Sequence, residues 1–369
     1  MRSLLATTRA LFACALFALS CAAVLPPLHA SLEPIWWMAT ESALYGCMIA
    51  LVVLLTGMGD TRVPGGLVLA SASAALFAYV PISALWMGQR ASFVQNPAVQ
   101  HQLWNSPYGW PALIQPPDPT DSRAPLVISD LPDMTIQVFP GRSVNPKPTL
   151  IILEGSDWTR DGGQSLPWAN LLSLHGYPVL NVSQDQSEAE SWGDEAWPSV
   201  LKWLRREGGD HGLSHREFYL MGQGAGGLAA LQVAYRSPPP GLQGVIVWST
   251  PTDLSELWSG PSEPWLSGPQ RVLAERLGGP PEQRAEAYQN ASPVTFSRGH
   301  HVRTLVGCGG RDLAVPTAHC ELLRDARTKA GSKVENVTIP WATSLAQTQP
   351  FGPSGILWHH AVLQFLTPP

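Results

Sequence analysis

The sequence predicts an α/β domain built on a mostly parallel sheet flanked by helices, preceded by an N-terminal transmembrane helical segment. Three observations lead there. Short apolar strand-like runs alternate with helix-forming stretches through the C-terminal two thirds of the chain. A strand, a glycine-dense turn and a helix follow one another between Arg216 and Tyr235. Ahead of them, the first 90 residues carry apolar stretches of membrane-spanning length.

The composition agrees. A chain of 369 residues, 45% of them hydrophobic, can bury a large core and is not disordered. A net charge of −5, no basic run, and lysine only at Lys147, Lys202, Lys329 and Lys333 exclude nucleic acid as a partner. Cys14, Cys21 and Cys47 lie in apolar runs, and Cys308 and Cys320 lack the spacing of a zinc site. No metal and no cofactor is expected.

In chain order, Leu11 to Leu25 behind Arg2 and Arg9 suits a signal peptide, with a fair cleavage site at Leu28-His29-Ala30, or a first membrane helix. Ile35 to Thr56, interrupted by Glu41, and Leu67 to Met87 favour the membrane reading and give three spans, with Trp36, Trp37 and Trp86 near their ends. The alternative, buried core helices, sits poorly with stretches that are apolar all round. Arg2, Arg9 and Arg62 place the N-terminus inside, against a mild opposing signal from Arg90. The expected location is therefore the cell membrane, multi-pass, with the lipid bilayer as partner and everything after residue 90 on the extracytoplasmic side. Residues 1–90 form the anchor, 91–125 a Pro-rich linker around Pro116-Pro117-Asp118-Pro119, and 126–369 the α/β domain.

Within that domain, Thr135–Phe139, Thr149–Leu153, Tyr177–Val182, Phe218–Met221, Val245–Trp248, Thr304–Val306 and Val334–Ile339 read as strands. Trp197, Val200, Leu201 and Leu204 recur at helical spacing, so Glu195 to Arg206 is an amphipathic helix stopped by Gly208-Gly209. Leu228–Tyr235, Ala318–Lys329 and Leu357–Leu366 are further helices. Gly222 to Gly227 is the turn between strand and helix.

These motifs resemble the α/β-hydrolase superfamily, in particular its membrane-anchored bacterial esterase and lipase-like branch, over roughly Leu131 to Leu366. The run Gly222-Gln223-Gly224-Ala225-Gly226 is similar to the nucleophile elbow G-x-S-x-G, with Gly224 at the serine position. Trp197-Pro198 with Leu201-Lys202-Trp203-Leu204 resembles the helix before the elbow, and Gly278-Gly279-Pro280, Tyr288 and Ser292-Pro293 the segment after it. Gly309-Gly310-Arg311-Asp312-Leu313-Ala314-Val315-Pro316 resembles the acid loop and implies the triad carboxylate at Asp312. Pro340-Trp341-Ala342-Thr343-Ser344, followed by Phe351-Gly352-Pro353-Ser354-Gly355, is similar to the segment that carries the catalytic histidine, whose position reads Ser344. Glu154-Gly155-Ser156-Asp157-Trp158 stands where the family has its oxyanion motif. The resemblance implies an oxyanion or binding region at Gly155, Ser156, Gln223 and Ala225, and a triad of which Asp312 alone survives.

Acyl transfer on this fold needs a hydroxyl nucleophile, a base to take its proton and a carboxylate to orient the base. Gly224 and Ser344 supply neither of the first two, and losing either group costs on the order of 10⁶ in kcat. The sequence therefore points to a degenerate hydrolase-fold protein that binds a small acyl or carboxylate ligand, or an envelope protein, with an active esterase using displaced groups as the alternative. His359 and His360 are a base in reserve or helix histidines, His300 and His301 metal ligands or loop residues, and Ser156 and Asp157 a displaced nucleophile or turn residues. Changing Gly224→Ser with Ser344→His is expected to return weak activity. Cys308 and Cys320 are expected to stay unpaired, because nothing in the sequence turns the helix face of Cys320 towards the strand of Cys308.

Overall fold

In the computed structural model, which describes residues 2–25, 33–57, 64–89, 96–115, 125–131, 134–141, 147–154, 166–184, 196–260, 267–296, 301–348 and 350–367, the chain divides into two units. One is Met1–Pro117 with Ile339–Pro369; the other is Asp118–Thr338. The closing segment, read from sequence as part of the 126–369 domain, thus groups with the N-terminal helices.

The first unit starts with α1 (Arg2–Val24), α2 (Glu33–Glu41), α3 (Ala43–Gly57), α4 (Pro64–Gln89) and α5 (Pro97–Asn105). Of the three expected spans, only α4 is by itself long and apolar enough to cross a membrane, over Leu67–Gly88. The expected middle span is broken: Pro34–Glu41 and Ala43–Leu55 meet at 71°. Just before the break the Thr40 hydroxyl donates back to the carbonyls of Trp36 and Trp37 (3.1 and 2.9 Å), a bond that bends helices. Ala10–Val24 falls short of the roughly 20 residues a crossing needs. Among the described residues the helices therefore supply one span, or two if the bent pair counts as one, in place of three. Part of the expected linker is also folded. Asn96 caps α5 by accepting from the amide of Ala98 (2.9 Å), and Val99, Leu103 and Trp110 are buried. Pro97, which reads as a breaker, sits where a helix start favours proline.

The second unit contains β1 (Leu126–Leu131), β2 (Met134–Phe139), β3 (Thr149–Leu153), α6 (Leu166–Leu174), β4 (Val179–Gln184), α7 (Ala196–Arg206), β5 (Phe218–Gln223), α8 (Gly224–Arg236), β6 (Leu242–Trp248), α9 (Leu254–Ser259), α10 (Ser267–Leu277), α11 (Pro281–Ala291), α12 (Pro293–Phe296), β7 (Arg303–Gly309), α13 (Ala318–Lys329) and β8 (Val334–Ile339). The sheet has eight strands in the order β1-β2-β4-β3-β5-β6-β7-β8. β2 runs antiparallel to β1 and β4, while β4, β3, β5, β6 and β7 are mutually parallel. Strands buried on both faces explain the unbroken apolar runs: every residue of β5 is buried. Trp203 and Leu204 of α7 and Leu231 of α8 pack over Ile151, Leu220 and Val245. Because β5, β6 and β7 are parallel neighbours, the residues that follow them, Gly224, Ser249 and Asp312, leave the sheet at the same edge.

Cys308 and Cys320 are joined by a disulfide, with Cα atoms 6.6 Å apart, contrary to the expectation that they stay unpaired. The turn around Asp312 reverses the chain sharply after β7, so the first turn of α13 comes back beside the strand end. The rotation of Cys320 is set by that turn, which spacing along a helix does not reveal. The last helix, α14 (Pro353–Leu366), belongs to the first unit and is buried along nearly its whole length.

Candidate functional site

β5 runs straight into α8 with no intervening turn residues, Gln223 being extended (φ −126°, ψ 151°) and Gly224 already the first helical residue. The six-residue turn expected over Gly222–Gly227 is thus compressed into one residue. Gly224 takes it up at φ 49°, a left-handed conformation that side chains rarely adopt. The flanking glycines are there for space. A Cβ on Gly222 would lie 2.5 Å from the Gly226 carbonyl, and one on Gly227 would collide with the Thr250 hydroxyl. Gln223 and Ala225, expected to line the site, are both at the α8 terminus and buried. The strand-to-helix turn is as sharp as the elbow expected from sequence, and the residue at its apex, Gly224, carries no hydroxyl.

Asp312 is 5% exposed, and its carboxylate is committed on both oxygens. Oδ1 accepts from the amides of Ala314 (3.0 Å) and Val315 (2.9 Å), closing the turn after β7, and Oδ2 accepts from the Ser249 hydroxyl. Ser249, absent from the residues singled out by sequence, is 2% exposed at the end of β6. Its amide continues the ladder to the Gly307 carbonyl (2.9 Å). Among the described residues it is the one non-glycine with positive φ, at 48°. No motif marks it; a Ser-Thr-Pro cluster ending a strand is the whole of its signal.

A second buried group lies close by. His319 Nδ1 accepts from the Thr252 amide (3.3 Å), and the Thr252 hydroxyl donates to the His319 carbonyl (2.6 Å). Burial pulls its imidazole down to about 4, against a partial upward pull from Asp253. Burial keeps the ring neutral, and the Thr252 contacts fix its place.

Ser344 opens a short 3-10 turn, Ser344–Thr348, in the first unit and is 8% exposed. His359 and His360 are fully buried in α14; His360 Nδ1 pairs with the Ile356 carbonyl of its own helix (2.8 Å), and burial lowers it to about 4. That favours the helix-histidine reading over a reserve base. His301 is exposed and pairs with the Ser332 hydroxyl (2.6 Å). Gly155, Ser156, Asp157, Trp158 and His300 lie outside the described residues; Glu154 continues the sheet by donating to the Val182 carbonyl (2.9 Å). No cluster that could hold a metal ion occurs among the described residues.

Residues 136–326, just over half of the chain, match the BD-FAE family. The chain belongs to that family. Its fold is that of the α/β-hydrolases, and an acylaminoacyl peptidase and an esterase are among the solved structures it is similar to. Against the acylaminoacyl peptidase of Pyrococcus horikoshii the TM-score is 0.52 at 14% identity, over 66% of this chain and 41% of the peptidase. Against esterase 2 of Thermogutta terrifontis, phosphonylated by sarin, it is 0.48 at 19% identity, over 62% of this chain and 87% of the esterase. The chain spans about two fifths of the peptidase's length. No curated protein matches it in sequence.

The arrangement at this sheet edge sets the chemistry open to it. Gly224 offers no oxygen to an acyl carbon. Asp312 accepts from two amides and a hydroxyl, so both of its oxygens are engaged by the turn and by Ser249. The amides at the start of α8 and the positive end of its dipole remain, and they favour an anion.

Proposed function

We propose that this BD-FAE protein is a membrane-anchored member of its family that has lost acyl-transfer chemistry and acts by binding, with a small carboxylate or acyl ligand, or an envelope protein, as its partner. The observation that carries the reading is Gly224: the elbow keeps its left-handed backbone at φ 49° and its close-packed glycines without the group they exist to present. Asp312 supports it, since its hydrogen bonds to the Ala314 and Val315 amides and the Ser249 hydroxyl give it a structural reason to persist. The α8 terminus is where a carboxylate would be held.

Anchoring is supported by α4 and by large apolar side chains that face outwards on the N-terminal helices. Leu11, Met48, Val52, Leu55, Val68 and Ile82 are each more than half exposed, a surface suited to lipid. The Cys308–Cys320 disulfide supports an extracytoplasmic position for the second unit, because such bonds persist in oxidising compartments.

A second reading, an esterase with displaced groups, draws on Ser249, a strained hydroxyl beside a carboxylate. Among the described residues the hydroxyl's bonded partner is the Asp312 carboxylate, itself held by two amides, and not an imidazole. Labelling the full chain with a serine-directed fluorophosphonate separates the readings. The binding reading predicts no label; label on the native chain that disappears in Ser249→Ala establishes the other.

A further inference from the structure

The C-terminal helix α14 begins without a cap of its own. Gly352, at the cap position, has no side chain to give, and the first turn, Pro353-Ser354-Gly355, contains no acidic residue. A buried helix start still needs acceptors for its amides. The acceptor present comes from the far end of the sequence. Glu41, 6% exposed at the break between α2 and α3, accepts from the Ser354 amide at 3.2 Å. The approach is tight: a Cβ on Gly352 would collide with the Glu41 carboxylate and lie 3.1 Å from its Cβ. At the other end of α14, the Gln364 side-chain oxygen accepts from the Asn96 amide at 3.2 Å. α14 packs against α2, α4 and α5, and the Ser344–Thr348 turn packs against α2 and α14, all inside the first unit.

We propose that Glu41 is the N-cap of α14, supplied across the chain, and that it locks the N-terminal helices to the segment 339–366. On this assignment the stretch that resembles the family's histidine loop has become the seat of α2, which gives Ser344 a packing role where the family keeps a base. It also explains why a carboxyl group sits in an otherwise apolar stretch, at the point where α2 ends: the break aims its oxygen at a helix start, where the amides need acceptors. The N-terminal segment is then a structural part of the fold and not a removable tether. The inference is independent of whether the elbow retains chemistry.

The test uses the full chain in detergent. Glu41→Ala leaves the Ser354 amide buried without its acceptor and is expected to lower the melting temperature by roughly 4–8 °C, while Glu41→Gln, which keeps an oxygen there, loses less than half of that. Gly352→Ala should cost a similar amount in the native background and much less in Glu41→Ala, since the collision partner has gone. Equal, additive losses from Glu41→Ala and Gly352→Ala would overturn the cap. A second measurement does not depend on stability: the pair Glu41→Cys with Gly352→Cys, gently oxidised in membranes, should give a cross-linked peptide joining positions 41 and 352 by mass spectrometry. Both cysteines found unlinked, or linked only to Cys14, Cys21 or Cys47, would overturn the lock.

Discussion

Gly224 and Ser249 occupy the same left-handed backbone region, at φ 49° and 48°, where neighbouring strands β5 and β6 leave the sheet. At Gly224 the missing Cβ removes the strain that a serine would bear. Gly224→Ser should therefore destabilise the protein by about 1 kcal/mol, seen in denaturant unfolding, with no gain in ester hydrolysis. Ser249 bears the strain and is held by its bond to Asp312. Ser249→Ala keeps the backbone cost and loses that bond, so a loss of about 1–2 kcal/mol is expected by the same measurement. His319 adds a pH dependence. Its folded pKa of about 4 lies below the ordinary 6.5, so the unfolded chain takes up the proton first and stability falls as pH drops from about 6.5 towards 4. Between pH 7.5 and 5 this contributes a loss of roughly 2 kcal/mol, and His319→Gln should flatten that part of the curve. Asp312 was legible at this scale because its loop, Gly309 to Pro316, is a contiguous motif. Its partner Ser249 was not, because the pairing depends on how β6 and β7 lie side by side.

At the scale of elements, the strongly patterned pieces match the sequence reading. β3, β8 and α13 occupy the residue ranges expected, and β5 and β7 are longer than expected because their ends carry Gly, Gln and Cys, which weaken the apolar signal without breaking the ladder. β1, α6 and the helices α9 to α12 were not foreseen. Proline and glycine divide that last stretch into pieces too short for periodicity, and its packing comes from contacts such as Leu228 and Val315 with Leu254, Leu257 and Tyr288. The break in the expected middle span was hidden for a related reason: apolar content continues across Glu41 while hydrogen bonding does not. The disulfide staples β7 to α13 around the Asp312 turn. Replacing both Cys308 and Cys320 by alanine should cost about 2–3 kcal/mol in unfolding experiments under oxidising conditions, and nothing relative to the native chain once both are reduced.

For the whole molecule, the fold class was legible in the sequence. Strand order and the elbow, with the match over residues 136–326, carry the family. The N-terminal helices were legible as hydrophobicity, and the break between α2 and α3 was not, because composition does not register a 71° bend. On the extracytoplasmic reading, a phosphatase reporter fused after Pro369 should be active in cells; activity only from a reporter that works in the cytoplasm would reverse the orientation. The central claim is that a family scaffold is retained without acyl transfer. The most direct measurement is the initial rate of hydrolysis of a short-chain p-nitrophenyl ester by the purified full chain, beside its Asp312→Ala and Ser249→Ala variants. All three are expected to equal the buffer rate. Turnover by the native chain above that rate, with its loss in Ser249→Ala, would contradict it.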